Sequence, residues 1–363
     1  MRCGAAAAFL LLVAAAACGS HNEFVAAPSG PPASIPLLFN RGDKTGYHVQ
    51  LSIAGTTVRS FLFDTGSGGL WVYANTIAHP KNKVRELHIK TSNQYGSGLY
   101  YKGEAVETTV DFGDGLPVET VPIVRVTAAY CLSDSCKKKF GEGDVIKRLE
   151  RERDLWGTFG ADLEPRPIAE GKRASNLFNV LFGLGKAWTS FAVVPSEIEA
   201  APATSDFTEI AMRAGPMTHG PLPNGAKSWS RDVSVCYRIS NRATIFSSCL
   251  PTVFDTGASG VTLRSGTSGT LPSQDTPECG TILQAGTAFE AEASGKELAS
   301  FTAGLKQNWN EVRLVTPSPT SSPQVNTGLT FYNRNAIAFD AVHGLVGLKP
   351  LSPPVHRFES DCQ

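Results

Sequence analysis

Apolar and polar residues alternate along Tyr47-His48-Val49-Gln50-Leu51-Ser52-Ile53, the period of a strand with one face in a core. Gly55 supplies a turn, and the chain then runs largely apolar from Val58 to Phe63 before ending on Asp64. The pattern predicts a hairpin whose second strand delivers an acid at its end. The second half repeats the plan: Cys236 to Cys249 predicts a hairpin, and Thr252-Val253-Phe254 again runs into an acid, Asp255. Asn335 to Leu348 predicts a closing pair of strands around a His343-Gly344 turn, and the Thr/Ser/Pro-rich 316–323 stretch a loop. The charged run between Cys131 and Asp154, with Lys137-Lys138-Lys139, predicts a solvated helix or loop inserted in the first half, stapled at its base by Cys131 and Cys136.

At 363 residues the chain exceeds the usual size of a single core, so two lobes are expected. The 35 glycines, with β-branched runs between turn residues, lean toward a β-rich enzyme. The Pro/Ala-rich stretch from Pro195 to Ser205 marks the interlobe linker. The expected organisation is 1–18 signal peptide, 19–40 flexible N-terminal segment, 41–195 N-terminal lobe with Asp64, 196–205 linker, and 206–363 C-terminal lobe with Asp255. Lys and Arg together number 33 and so do Asp and Glu, which removes the electrostatic reason to expect nucleic acid or an anionic membrane as partner.

The first residues read as a targeting segment: Arg2, an apolar run from Ala5 to Ala17, then polar sequence from Gly19. The run is short for a membrane span, so a cleaved signal and an exported, secreted or cell-envelope protein are expected, with no transmembrane segment in the mature chain. Cys18-Gly19-Ser20 after three alanines resembles a bacterial lipoprotein box, with Ala15 where Leu is usual, so lipidation at Cys18 and ordinary cleavage nearby both stay open. Removing the leader leaves six cysteines, Cys131, Cys136, Cys236, Cys249, Cys279 and Cys362; an even number in an exported chain points to disulfides whose pairing stays open.

The chemistry lies in an internal repeat, Phe63-Asp64-Thr65-Gly66-Ser67 and Phe254-Asp255-Thr256-Gly257-Ala258, each behind an apolar strand. Two carboxylates brought within hydrogen-bond distance cannot both ionise cheaply, so one keeps a proton and the pair supplies an acid and a base together. Neither cofactor nor metal is called for, and the seven histidines form no metal-binding helix motif.

These residues resemble the pepsin-like aspartic peptidases over most of the chain after about residue 40. Asp64-Thr65-Gly66-Ser67 with Leu70-Trp71-Val72 is similar to that family's first active-site loop, and Thr256-Gly257 stands in its second. Gln94-Tyr95-Gly96-Ser97-Gly98 is similar to the tip of the flap, whose Tyr hydrogen-bonds that Trp and closes over substrate; Tyr100 or Tyr101 could instead hold the role. Trp156-Gly157-Thr158-Phe159-Gly160 and Asn326-Thr327-Gly328-Leu329-Thr330-Phe331 resemble the segments passing beneath the two acids. The resemblance implies a bilobal β-rich fold, a cleft between the lobes, a polypeptide substrate, and a monomer that cuts peptide bonds with Asp64 and Asp255. Family zymogens carry a long basic pro-segment; few residues separate the leader from Tyr47, so activity without autoproteolytic activation is expected. The alternative is a pepsin-fold protein that binds or inhibits without cutting. One departure stands out: Ala258 replaces a hydroxyl that in the family donates to the second acid, which predicts that Asp255 is the harder acid to ionise.

Overall fold

The computed structural model describes residues 34–40, 46–77, 83–113, 116, 118–141, 143–164, 167–169, 172–173, 190–200, 202, 207–214, 229–266, 268–276, 280–304, 310–317 and 322–352. Strands dominate, because long alternating runs are punctuated by glycine turns and few stretches carry a helical period. The signal and lipidation expectations at 1–18 fall outside the described residues, as do Cys279 and Cys362.

The first half builds a sheet from Gly46–Ile53 through Gly157–Ala161, in which Leu99–Asp111 pairs along nearly its whole length with both Val84–Gln94 and Glu119–Cys131. The second half builds a corresponding sheet between Trp229–Ser240 and Gln324–Asn326. A third sheet of six antiparallel strands joins them, in the order Ser34–Asn40, Glu197–Ala200, Ser190–Val194, Asn335–Asp340, Leu345–Pro350, Thr208–Ala214. One hydrophobic cluster runs through all three, from Ile35 to Leu348.

Two sequence expectations are corrected here. Ser34–Asn40 is not a flexible segment but a strand, paired with Glu197–Ala200 at one end and Gly46–Ile53 at the other, with Ile35 and Leu37 buried. Glu197–Ala200 is not linker but strand, since Ile198 and Ala200 alternate with glutamates and turn their apolar sides into the core. The prolines and alanines around it outweigh this short pattern when only composition is read.

The charged 131–154 stretch forms two helices, Asp134–Phe140 and Val145–Arg153. Val145, Ile146 and Leu149 pack inward while Lys137, Lys138, Lys139 and Arg151 face water. Cys131 and Cys136 are disulfide-bonded at the base of this insertion, and Cys236 and Cys249 are disulfide-bonded across the Trp229–Ser240 and Ile245–Val253 hairpin. Among the described residues no helix is long and apolar enough to cross a membrane.

Candidate active site

Each acid sits at the end of a strand that runs parallel to a neighbour, while the returning chain runs antiparallel to that same neighbour. Arg59–Asp64 pairs parallel with Gly157–Ala161, Asp64 opposite Gly160, and Gly68–Tyr73 returns along its other side. In the second half Ile245–Val253 pairs parallel with Gln324–Asn326, Val253 opposite Asn326, and Val261–Arg264 returns antiparallel. Phe61 and Phe63 are fully buried and Phe254 nearly so, each contributing about 2–3 kcal/mol, enough to fix the strand ends that carry the acids.

The two threonines lock the halves together by exchanging bonds. Thr65 N donates to Thr256 Oγ1 at 3.0 Å and Thr256 N donates to Thr65 Oγ1 at 3.0 Å. Each hydroxyl then donates across the interface, Thr65 Oγ1 to the Phe254 carbonyl at 2.8 Å and Thr256 Oγ1 to the Phe63 carbonyl at 2.6 Å. Tyr332 adds a hydroxyl contact to Thr65 Oγ1 at 2.8 Å. All these polar groups are buried, so each needs the others.

The carboxyls are held by matching donors. Gly66 N donates to Asp64 Oδ1 at 2.9 Å, and Gly257 N to Asp255 Oδ1 at 2.7 Å. On the other oxygen, Ser67 Oγ donates to Asp64 Oδ2 at 2.5 Å, while Asp255 Oδ2 accepts from Asn326 Nδ2 at 2.5 Å. Asp64 and Asp255 are only 4% and 9% exposed, so each depends mainly on donors from the protein. Burial first, then the facing charge of Asp255, hold the Asp64 carboxyl well above its ordinary range, against the lowering pull of Ser67.

The premise behind the expectation for Asp255 changes: the hydroxyl absent at position 258 is replaced by an amide from 71 residues away. The local sequence carried no signal for Asn326: its first-half counterpart, Thr158, which pairs opposite Leu62 as Asn326 pairs opposite Val253, is polar too. Arg231, whose Nη1 donates to the Gly66 carbonyl at 3.1 Å, and Tyr332 also reach the Asp64 loop from the other half, and no local pattern announced either.

Tyr95 and Gly96 lie in the turn between Val84–Gln94 and Leu99–Asp111, closed by Tyr95 N to the Leu99 carbonyl at 2.8 Å and Gly98 N to the Tyr95 carbonyl at 2.9 Å. Trp71 does not hydrogen-bond Tyr95: its Nε1 donates to the Gly68 carbonyl at 3.2 Å. Tyr101 stands between the two rings, 5.1 Å from Tyr95 and 6.3 Å from Trp71, and its hydroxyl meets that of Tyr73 at 2.6 Å. Burial, then the fields of Tyr101 and Asp64, push the Tyr95 hydroxyl well up, so it remains a neutral donor. The turn is tethered to the charged insertion, where Leu132 N donates to the Gly98 carbonyl at 2.9 Å and Ser133 Oγ to the Ser97 carbonyl at 3.3 Å. Among the described residues no group of histidine, cysteine or acidic side chains is arranged to hold a metal.

No protein-family model matches the chain, and no curated protein sequence matches it. Solved structures do: the crystal structure of an aspartic proteinase from Irpex lacteus superposes with a TM-score of 0.61 at 17% identity, over 88% of this chain and 98% of that one. The chain therefore has the bilobal, all-β fold of the pepsin-like aspartic proteinases.

Proposed function

We propose that the chain is an aspartic endopeptidase that hydrolyses peptide bonds with Asp64 and Asp255. The observation that carries this reading is the facing pair of buried carboxyls, each held on both oxygens by donors and each delivered by the Asp-Thr-Gly turn of a different half. One proton shared by such a pair provides an acid and a base in a single step. Asp255 takes a proton from a water held between the carboxyls, and that water attacks the scissile carbonyl carbon. Asp64 gives its proton to the carbonyl oxygen as charge develops there. When the tetrahedral intermediate collapses, the proton on Asp255 passes to the departing amide nitrogen, and the proton on the intermediate's hydroxyl returns to Asp64.

The substrate is a polypeptide in extended form, bound between the halves under the Tyr95–Gly98 turn, with Thr65, Gly66, Ser67, Thr256, Gly257 and Trp71 as supporting residues. Both acids come from one chain, so a monomer suffices for the chemistry. The two disulfides fit export to an oxidising compartment.

Incubating the purified protein with a broad peptide library at acid pH, with and without a statine-type transition-state mimic, tests the reading. Internal cleavages suppressed by the mimic are expected. Binding of peptides or mimic with no cleavage at any pH would instead identify a pepsin-fold protein that binds without cutting.

A further inference from the structure

We propose that Asn326 is a positioning residue that does for Asp255 what Ser67 does for Asp64, its side-chain N–H replacing the hydroxyl absent at Ala258. The proposal rests on the reading of Asp64 and Asp255 as the catalytic pair.

The symmetry of the site makes the substitution visible. Both carboxyls receive a glycine N–H on Oδ1, so the halves differ only in what reaches Oδ2: a hydroxyl three residues along in one, an amide from a neighbouring strand in the other. The amide's orientation is fixed independently of Asp255. Gly328 N donates to Asn326 Oδ1 at 2.9 Å, so that oxygen is already the acceptor and the NH2 group is the one turned toward the carboxylate. Asn326 also has strands on both sides, opposite Val253 and opposite Thr262, so its backbone cannot drift from the acid.

An N–H pointed at a carboxylate favours the charged form, because the bond is charge-assisted only while the acceptor is ionised. With Asn326 in place each acid has two such donors. Without Asn326, Asp255 would keep one donor against two for Asp64, and the charged form of the pair would lose a charge-assisted bond.

Tyr101, whose hydroxyl meets that of Tyr73, lies in the field of Asp64, and burial pushes it up to about 12, so it stays neutral. Tyr332, from the helix behind Asp255, and Tyr95, from the turn beside Asp64, are both pushed well up by burial and stay neutral. Arg231, from the Trp229–Ser240 strand, is held on the Gly66 carbonyl. All four are common to the variants below and cancel in a comparison of them.

The test follows the side-chain carboxyl 13C signals of the pair against pH in wild type, Asn326→Leu, Ala258→Ser and the double variant, because interacting acids titrate as a pair and the first apparent pKa is the quantity to compare. Asn326→Leu is expected to raise that first pKa by about one unit, and the acidic limb of kcat/KM by the same amount. Ala258→Ser alone is expected to leave it in place, since Oδ2 is already provided for, yet to restore it in the double variant. Coincident titrations of wild type and Asn326→Leu would overturn the proposal, as would a fall of about one unit in Ala258→Ser alone. Should Asn326→Leu fail to fold, Ala258→Ser decides by itself: an unmoved titration supports the proposal and a lowered one overturns it. Peptide cleavage by wild type is scored separately. Titrations as expected with no cleavage would sink the enzyme reading and keep the role of Asn326; cleavage with coincident titrations would do the reverse.

Discussion

Replacing either acid by its amide, Asp64→Asn or Asp255→Asn, is expected to lower kcat by at least about 10³-fold, because one carboxyl cannot serve as acid and base in the same step. The two variants should be equally inactive and their combination hardly worse, since the pair acts as a unit. Peptide turnover measured at saturating substrate decides this, and a single variant retaining near wild-type kcat would defeat the mechanism. The Asp64 exchange carries a second, opposite effect on stability. In the fold the Asp64 carboxyl is raised well above its ordinary value of 3.8, mainly by burial. Below pH 3.8 folded and unfolded chains both hold the proton, and burial of the acid costs nothing extra. As pH rises from 3.8 toward the raised value, the unfolded chain releases its proton first, so wild type progressively loses stability. Asparagine cannot ionise and escapes that loss. Asp64→Asn should therefore melt at a higher temperature than wild type at neutral pH, with the gap closing in acid, and calorimetry at both conditions would detect the reverse order if it held.

Gly66→Ala is expected to lower kcat/KM by on the order of 100-fold without touching an acid. A methyl group on Gly66 would lie 2.2 Å from Cγ of Asp255, and one on Gly257 would lie 2.6 Å from Cγ of Asp64. Neither carboxyl can step aside, because its donors fix both oxygens and the threonine exchange fixes the loops. Displacing a reacting carboxyl by about 1 Å costs on the order of 100-fold in rate, and the overpacking itself about 1–3 kcal/mol of stability. Gly96→Ala is the contrasting case, since a methyl group there meets nothing within 4 Å. It should fold and melt as wild type does. Wild-type kcat/KM in Gly66→Ala would mean that the halves are not packed as tightly as described.

The strands ending in the two acids are legible in the sequence because everything that places them is local: alternation, a turn glycine, an apolar run and the tripeptide itself. The hairpins bearing Cys236 and Cys249 are legible for the same reason, and the Cys131–Cys136 link follows from nearness along the chain. What stays hidden is long-range. Asn326 and Arg231 act on residues 71 and 165 positions away, and only the folded chain reveals that an amide answers for the missing hydroxyl at Ala258. The third sheet is hidden because its strands come from opposite ends of the sequence. The Trp71 indole was assigned to Tyr95 by resemblance, but Tyr101 fills the space between those rings, so the indole N–H turns to the Gly68 carbonyl.

The six-stranded sheet has a further consequence. Its strands from the first part of the chain, Ser34–Asn40, Glu197–Ala200 and Ser190–Val194, all lie on one side of a single seam. Those from the second part, Asn335–Asp340, Leu345–Pro350 and Thr208–Ala214, lie on the other. At the seam Ser190–Val194 meets Asn335–Asp340, with Phe191 and Phe339 ring to ring at 5.3 Å. In the language of assembly, the protein is two unlike subunits that happen to share one covalent chain, each bringing one acid, one threonine of the exchange and half of a common sheet. A backbone nick between Ala200 and Thr208 would cross none of these contacts. Two fragments parted there would each present an unpaired strand edge at the seam and the matching half of the threonine latch, which makes them complementary parts rather than debris.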